Sequence, residues 1–473
     1  MIARNAFIEL LGRFLGSGIS FISSIILMRY LSPEDFGLVA MGMIVVTIAE
    51  VVADVGFGSA IVQKLELSKE ELNTSFFLNL MAGSVVSFIV FITANQIGYF
   101  YNNDDSVIII RVFCLVIIAA SFSTIPVALH TRKLNFSFLT KVNVISALSG
   151  SVIAIILAIN GAEYWSLVSL YIIHYTVRAL IFWIKPAWGL TFNVSFSAMS
   201  GIWNYSLSIF LVQVINIIYS RLDSILIAKY FNVKALGFYN RARAINDMVT
   251  QYSAASLAKV LFPVLSRSQE NSSLFSSQLI KGLRMTSFIS LMATSFLYST
   301  AKELIVLLFG SEWLATADFL IIVVFAILPH NLNFLMGHGL KATGKSSLIL
   351  KTEIAKKTLM TLSIITGTFY GIEGIILAVV CAKYLALTIN VFILSWIGLV
   401  SSLESISIMV KDIIFFFIPA ILLSQLSVYI LGSSYLLAAA FTFLIYLVIS
   451  YKLLNRRALV QILSSFTKSL RAN

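Results

Sequence analysis

Several ionisable side chains interrupt stretches that are otherwise apolar, and their spacing allows chemistry. Glu50 and Asp54 are four residues apart, as are His174 and Arg178, and Arg243 and Asp247, so each pair projects from one face of a helix. Arginine presents a rigid fork of donors that fits diphosphate oxygens, which makes Arg221, Arg241 and Arg243, together with Arg178, candidates for capturing an anionic head group. The competing reading is that Arg243 only pairs with Asp247, while Arg221 and Arg241 snorkel to a nearby membrane face. Glu50 and Asp54, with Asp223 and Asp247, are candidates for a proton or sodium site, because burial favours the proton-binding form of a carboxylate; salt bridges to neighbouring helices are the alternative. His174 reads as a packing residue. His330 and His338 lack a carboxylate or cysteine companion at metal-ligand spacing, so no metal is expected.

A second motif points elsewhere. Gly339 to Ser347, GLKATGKSS, fits the G-x-x-x-x-G-K-[ST] pattern of a loop that cradles phosphate. A working loop of that kind follows a buried strand and opens a helix in an α/β domain. Here the flanking segments are both long and apolar, so the stretch reads as a tight turn between helices, and no nucleotide is expected.

The elements that must carry these residues follow from composition. Of 473 residues, 59% are hydrophobic and only 11% charged, and the mean hydropathy is +0.95. A soluble domain has about 25% charged residues, so the bilayer is the expected solvent. Segments of about 20 apolar residues, the length that spans the hydrocarbon, recur along the whole chain and predict about fourteen transmembrane helices. The expected class is an all-α membrane protein of two six-helix lobes, residues 1–195 and 196–400, with two further helices and a basic tail in 401–473. Cys114 and Cys381 both fall in apolar segments and read as inert packing residues. The first segment is too long for a signal peptide, is closed by Arg29 and has no A-x-A site after it, so it reads as a retained helix.

Alternate loops carry Lys64 and Lys69, Arg132 and Lys133, Lys185, Arg267, then Lys341 and Lys345, with Arg4 before the first helix and Arg456 and Arg457 after the last. The intervening loops SPEDFG, YNNDDS, NGAEY, YGIEG and LGSSY have no lysine or arginine, and only Lys229, Lys234 and Lys302 depart from the pattern. By the positive-inside rule both termini should be cytoplasmic. The net charge of +12 is then a topology signal beside anionic lipid, and needs no nucleic acid.

The chain also repeats. SSIILMRYLSPEDFGL at Ser23 to Leu38 matches DSILIAKYFNVKALGF at Asp223 to Phe238, with Ser24, Tyr30 and Gly37 facing Ser224, Tyr230 and Gly237. Lys141, Gly161 and Glu163 recur as Lys351, Gly371 and Glu373. Two six-helix halves in the same orientation form lobes that can rock about a cleft, which predicts a transporter.

The stretch RYLSPEDFGLVAMGMIVVTIAEVVADVGFGSAIVQ, with GFYNRARAI, FPVLSRSQ and the LKATGKSS turn, resembles the polysaccharide exporters of the Wzx and colanic-acid-exporter type. These belong to the multidrug/oligosaccharidyl-lipid/polysaccharide flippase superfamily. The resemblance implies a MATE-like fold in a bacterial inner membrane and no enzyme activity. It also implies a substrate: a lipid-linked oligosaccharide repeat unit, carried on undecaprenyl diphosphate and moved to the outer leaflet for surface polysaccharide such as lipopolysaccharide or exopolysaccharide. In that family a cationic cavity serves the diphosphate and sugar, and Arg221, Arg241 and Arg243 are the positions that could match. Membrane lipids and other polysaccharide assembly proteins are the implied partners; no cofactor is expected beyond H+ or Na+ coupling. Two other readings are a multidrug or metabolite exporter of the same superfamily and a membrane polysaccharide polymerase or ligase, the latter needing a long outward loop with catalytic groups that the short loops do not supply.

Overall fold

The computed structural model describes residues 2–401, except 65, 185, 187, 193, 196–198 and 270, and short stretches between 406 and 422. The spans expected near residues 413–431 and 435–451 and the basic tail, like Lys185, lie outside the described residues, save for one π-helical turn at Ile413–Phe417 and a few positions beside it. Every regular element among the described residues is helical. The chain divides into two compact units, Met1–Gly237 and Phe238–Asn473.

The first unit contains α1 (Ile2–Met28), α2 (Pro33–Asp54), α3 (Phe57–Gln63), α4 (Lys69–Tyr101), α5 (Asp105–Arg132), α6 (Phe136–Ile159), α7 (Tyr164–Ile184) and α8 (Ser200–Tyr230). Its loops start helices by local chemistry. In SPEDFG, Ser32 caps α2 and forms a reciprocal capping box with Asp35, and Pro33 fills the first turn, where its missing N–H is not needed. Ser68 and Glu71 do the same for α4. Helices α4 with α5 and α6 with α7 pair as neighbours, α1 lies on α6, and α2 packs on α5, α4 and α8.

Around this core the outer faces are apolar. Met81, Val85, Phe88 and Ile92 form an exposed stripe along α4 at spacings of three and four, and Leu211, Ile215 and Ile218 do so on α8. Nine helical stretches among the described residues are long and apolar enough to cross a membrane; the last, Leu348–Trp396, holds two helices joined by a turn. Large apolar side chains that face outward on such helices are lipid contacts.

Two expected spans are broken. The apolar run near Leu38 to Ile61 is interrupted at Val55 and Gly56, with φ of 50° and 77°, so α2 stops and the short α3 begins. Glycine suits this left-handed position, and the neighbouring chain demands it as well: a Cβ on Gly56 would lie 2.3 Å from the Ser206 carbonyl oxygen of α8. In the second unit the run near Asp318 to Met336 is two helices, α11 (Leu314–Val323) and α12 (Ile327–Ala342), with a 3-10 turn at Val324–Ala326. Pro329 explains the break, since its ring clashes with a continuing helix and it has no N–H to donate.

The glycines that the repeat aligns pack on each other. A Cβ on Gly37 would lie 1.9 Å from the Val233 carbonyl oxygen, and one on Gly237 would lie 1.9 Å from that of Pro33. Pro33 and Val233 are themselves two hundred positions apart, so the contact is reciprocal.

α9 (Val233–Arg267) runs on into the second unit, which also holds α10 (Ser272–Phe309), α11, α12, α13 (Ser346–Gly367) and α14 (Gly371–Trp396). Leu279, Leu283, Leu335, Leu340 and Leu387 centre its core. α9 is not among the nine apolar stretches, because Arg241, Arg243 and Asp247 interrupt it. The GLKATGKSS stretch is a turn: its first four residues complete α12, Thr343 and Gly344 donate their N–H groups to Leu340 and Lys341 carbonyls, and α13 begins at Ser346. Those N–H groups are spent on the turn rather than converging on a phosphate.

Candidate functional site

The break between α2 and α3 builds a cavity. Glu50, Ala53 and Asp54 at the end of α2 form one wall, Gly58, Ser59 and Gln63 of α3 a second, and α5, α7 and Tyr205 of α8 the rest. Small residues at the wall, Ala53, Gly58, Ala120 and Ala128, leave a space of about 590 Å³.

Three of the side chains singled out in the sequence meet here. Glu50 accepts a hydrogen bond from Tyr175 and lies in the field of Arg178, one turn further along α7. Glu50 Oε1 and Arg178 Nε are both buried without a hydrogen-bond partner. Asp54 is engaged differently: its Oδ1 accepts the Gly58 N–H at 3.1 Å, satisfying one of the open donors at the start of α3. On α5 the hydroxyls of Ser121, Ser123, Thr124 and Thr131 each donate to the carbonyl one turn earlier, at 3.0, 3.3, 3.2 and 2.8 Å. Their lone pairs remain to face the cavity.

The other candidates lie elsewhere. Arg221 is half-buried on α8 and does not line this cavity. Asp223, also on α8, is buried, and its Oδ1 accepts the Ser224 N–H. In the second unit Arg243 and Asp247 form an ion pair at 3.5 Å along α9. Arg241, two residues from Arg243, points to a different side of that helix. His330 of α12 lies in the combined field of Arg243, Asp247 and Lys383 of α14. His174 is tied to the backbone at Ser146, consistent with packing between α6 and α7. Cys114 is buried and Cys381 exposed, and neither is bonded to the other. Among the described residues no group of three or more His, Cys, Asp or Glu converges on a possible metal position.

Sequence reasoning did not single out Tyr175, Lys383 or Lys356. Lys356 is only 7% exposed; its ammonium pairs with Glu353 at 2.5 Å and donates to Asn390 Oδ1 at 3.1 Å, and Asn390 in turn donates to Asn333. A lysine ten residues into an apolar helix was the available signal for that network.

A bundle of membrane-length helices is the architecture of a multi-pass membrane protein, and here it carries a cavity with charged and hydroxyl groups in its wall. Residues 26–318, more than half of the chain, match the family described as polysaccharide biosynthesis protein, and the chain belongs to that family. It is 22% identical over 303 residues to the teichuronic acid biosynthesis protein TuaB of Bacillus subtilis (strain 168), a match that covers 63% of this chain and 62% of that protein. The match therefore spans less than two thirds of that relative's length. To the lipopolysaccharide biosynthesis protein WzxC of Escherichia coli (strain K12) the identity is 23% over 391 residues, covering 80% and 77% of the two chains. Among solved structures, the lipid II flippase MurJ in an inward closed conformation superposes with a TM-score of 0.73 at 14% identity, over 95% of this chain and 99% of that one. That likeness is one of fold.

Proposed function

We propose that the protein flips a lipid-linked oligosaccharide repeat unit across the bacterial inner membrane by alternating access, and that no covalent bond changes. The observation that carries this reading is an open cavity lined by Glu50, Asp54, Arg178 and several hydroxyls, among helices whose outer faces are apolar. A diphosphate sugar pays heavily to leave water, so its passage needs a polar path while its polyprenyl tail stays in lipid. Membership of the polysaccharide biosynthesis family and the MurJ-like fold support the same substrate class, undecaprenyl-diphosphate-linked glycan.

In this reading the chain has fourteen helices, six in each of two lobes, residues 1–195 and 196–400, and two in 401–473, with both termini cytoplasmic. Arg241 and Arg243, on the unit that also holds His330 and Lys383, receive the diphosphate, with Arg221 as a further cation on α8. Arg178 belongs with Glu50 and Tyr175 instead. Glu50 is the carboxylate open to H+ or Na+ coupling, since Asp54 serves α3. Partners are the glycan lipid, membrane lipids and other assembly proteins.

Deleting the gene tests the reading. A lipid-linked glycan should accumulate in the cytoplasmic leaflet and surface polysaccharide should be lost; unchanged polysaccharide with no accumulated intermediate would overturn it.

A further inference from the structure

We infer that the cavity of the first unit holds a pyranose ring that is uncharged or bears an amino group, and that it excludes both the diphosphate and acidic sugars. This rests on the flippase reading and assigns one part of its substrate to one place.

Three features of the cavity carry the inference. The first is charge. Two carboxylates, Glu50 and Asp54, are set against one guanidinium, Arg178, so the wall lacks the net positive charge that a diphosphate or a uronate requires.

The second is hydrogen-bond polarity. Ser121, Ser123, Thr124 and Thr131 have already committed their protons to α5 carbonyls, and Tyr175 has committed its own to Glu50. These groups, with the carboxylates, offer acceptors and ask for donors. A sugar ring supplies several hydroxyl donors in a compact frame. A phosphate or carboxylate supplies acceptors only: it could meet the open Arg178 guanidinium, but it would leave the more numerous acceptors of this wall unsatisfied.

The third is size and shape. The space of about 590 Å³ falls inside the range of about 300–1,000 Å³ usual for small-molecule sites. A divalent cation such as Ca2+ or Mg2+ takes about six to eight oxygens at about 2.0–2.6 Å, which this open space with a guanidinium in its wall does not gather. Tyr205 supplies an aromatic face, and the exposed carboxamide of Gln63 can both donate to and accept from a diol.

The test uses the full chain carrying Cys381→Ser, which removes the exposed native thiol, and Ser59→Cys as a reporter in the cavity wall. Alkylation of the new thiol by a maleimide is timed in the presence of methyl glucoside, methyl glucosaminide, methyl glucuronide, inorganic pyrophosphate or sodium chloride. The first two should slow labelling at least about two-fold in a concentration-dependent way, and Gln63→Ala should remove that protection. Sodium chloride is the ionic-strength control, and protection is scored relative to it. Equal protection by glucuronide or pyrophosphate would overturn the inference, and so would protection by neither glucoside nor glucosaminide. Thr124→Cys provides a second reporter position if Ser59→Cys does not reach the membrane. Failure of the flippase reading would show separately, as a gene deletion that accumulates no lipid-linked glycan.

Discussion

The two units handle charge in opposite ways. In the first, Glu50 and Asp54 share a cavity with a single guanidinium, Arg178, among hydroxyls whose protons are already used. In the second, His330 lies in the field of two cations, Arg243 and Lys383, and one carboxylate, Asp247, and a further ammonium, Lys356, is tied to Glu353 and Asn390. A chain with a net charge of +12 does not therefore distribute its membrane charges evenly. The two clusters differ in their balance: carboxylates outnumber cations round the first unit's cavity, and cations outnumber carboxylates near His330.

The sharpest way to break this contrast is to remove the cations of α9. Arg241→Ala combined with Arg243→Ala removes two charge-assisted contacts worth about 1.5–3 kcal/mol each, so surface polysaccharide should fall about 100-fold or more while the protein stays in the membrane. Normal polysaccharide from that variant would remove the second unit's assigned role.

In the first unit the comparable change is Arg178→Ala. It leaves Glu50 without an opposing cation in a partly buried site, a situation that costs about 3–5 kcal/mol where it has been measured. The purified variant should unfold at a clearly lower temperature, and adding Glu50→Gln should restore part of the loss. No recovery in the double variant would show that Glu50 and Arg178 are not energetically coupled.

Gly56→Ala sharpens the comparison by altering the wall instead of its charge. The new Cβ would meet Ser206 at a left-handed backbone position, and about 1–3 kcal/mol of destabilisation is expected, measured as reduced thermal stability and a lower yield in the membrane.

How much of this was legible in the sequence depends on how local each feature is. The Arg243 and Asp247 pair is a contact within one helix, so spacing alone revealed it. The capping boxes at Ser32 and Ser68 are equally local. The break at Val55 and Gly56 was not legible, because the apolar run continues through it and the constraint comes from Ser206, some 150 positions away. Glu50, Asp54 and Arg178 were each marked by the cost of a charge in hydrocarbon. Their meeting with Tyr175 was not, since helices that are apolar all round give no face to read. Lys356 and Lys383 carried the same charge-in-hydrocarbon signal within α13 and α14, but their partners Asn390 and His330 lie on other helices and could not be read from spacing.

The smallest effect is expected at the turn between α12 and α13. Lys345→Ala should change transport by less than about two-fold, as a surface substitution shifts stability by no more than about 0.5 kcal/mol. Lost transport together with measurable nucleotide binding would mean that the GLKATGKSS stretch does more than turn the chain.

The most direct test of the central claim is a flipping assay in proteoliposomes that contain the purified protein and an undecaprenyl-diphosphate-linked sugar. The fraction of sugar reachable by an external modifying enzyme should rise from about half to nearly all only when the protein is present, and Arg241→Ala with Arg243→Ala should abolish the rise. A fraction that stays at about half with the unaltered protein, across several glycan donors, would contradict the account.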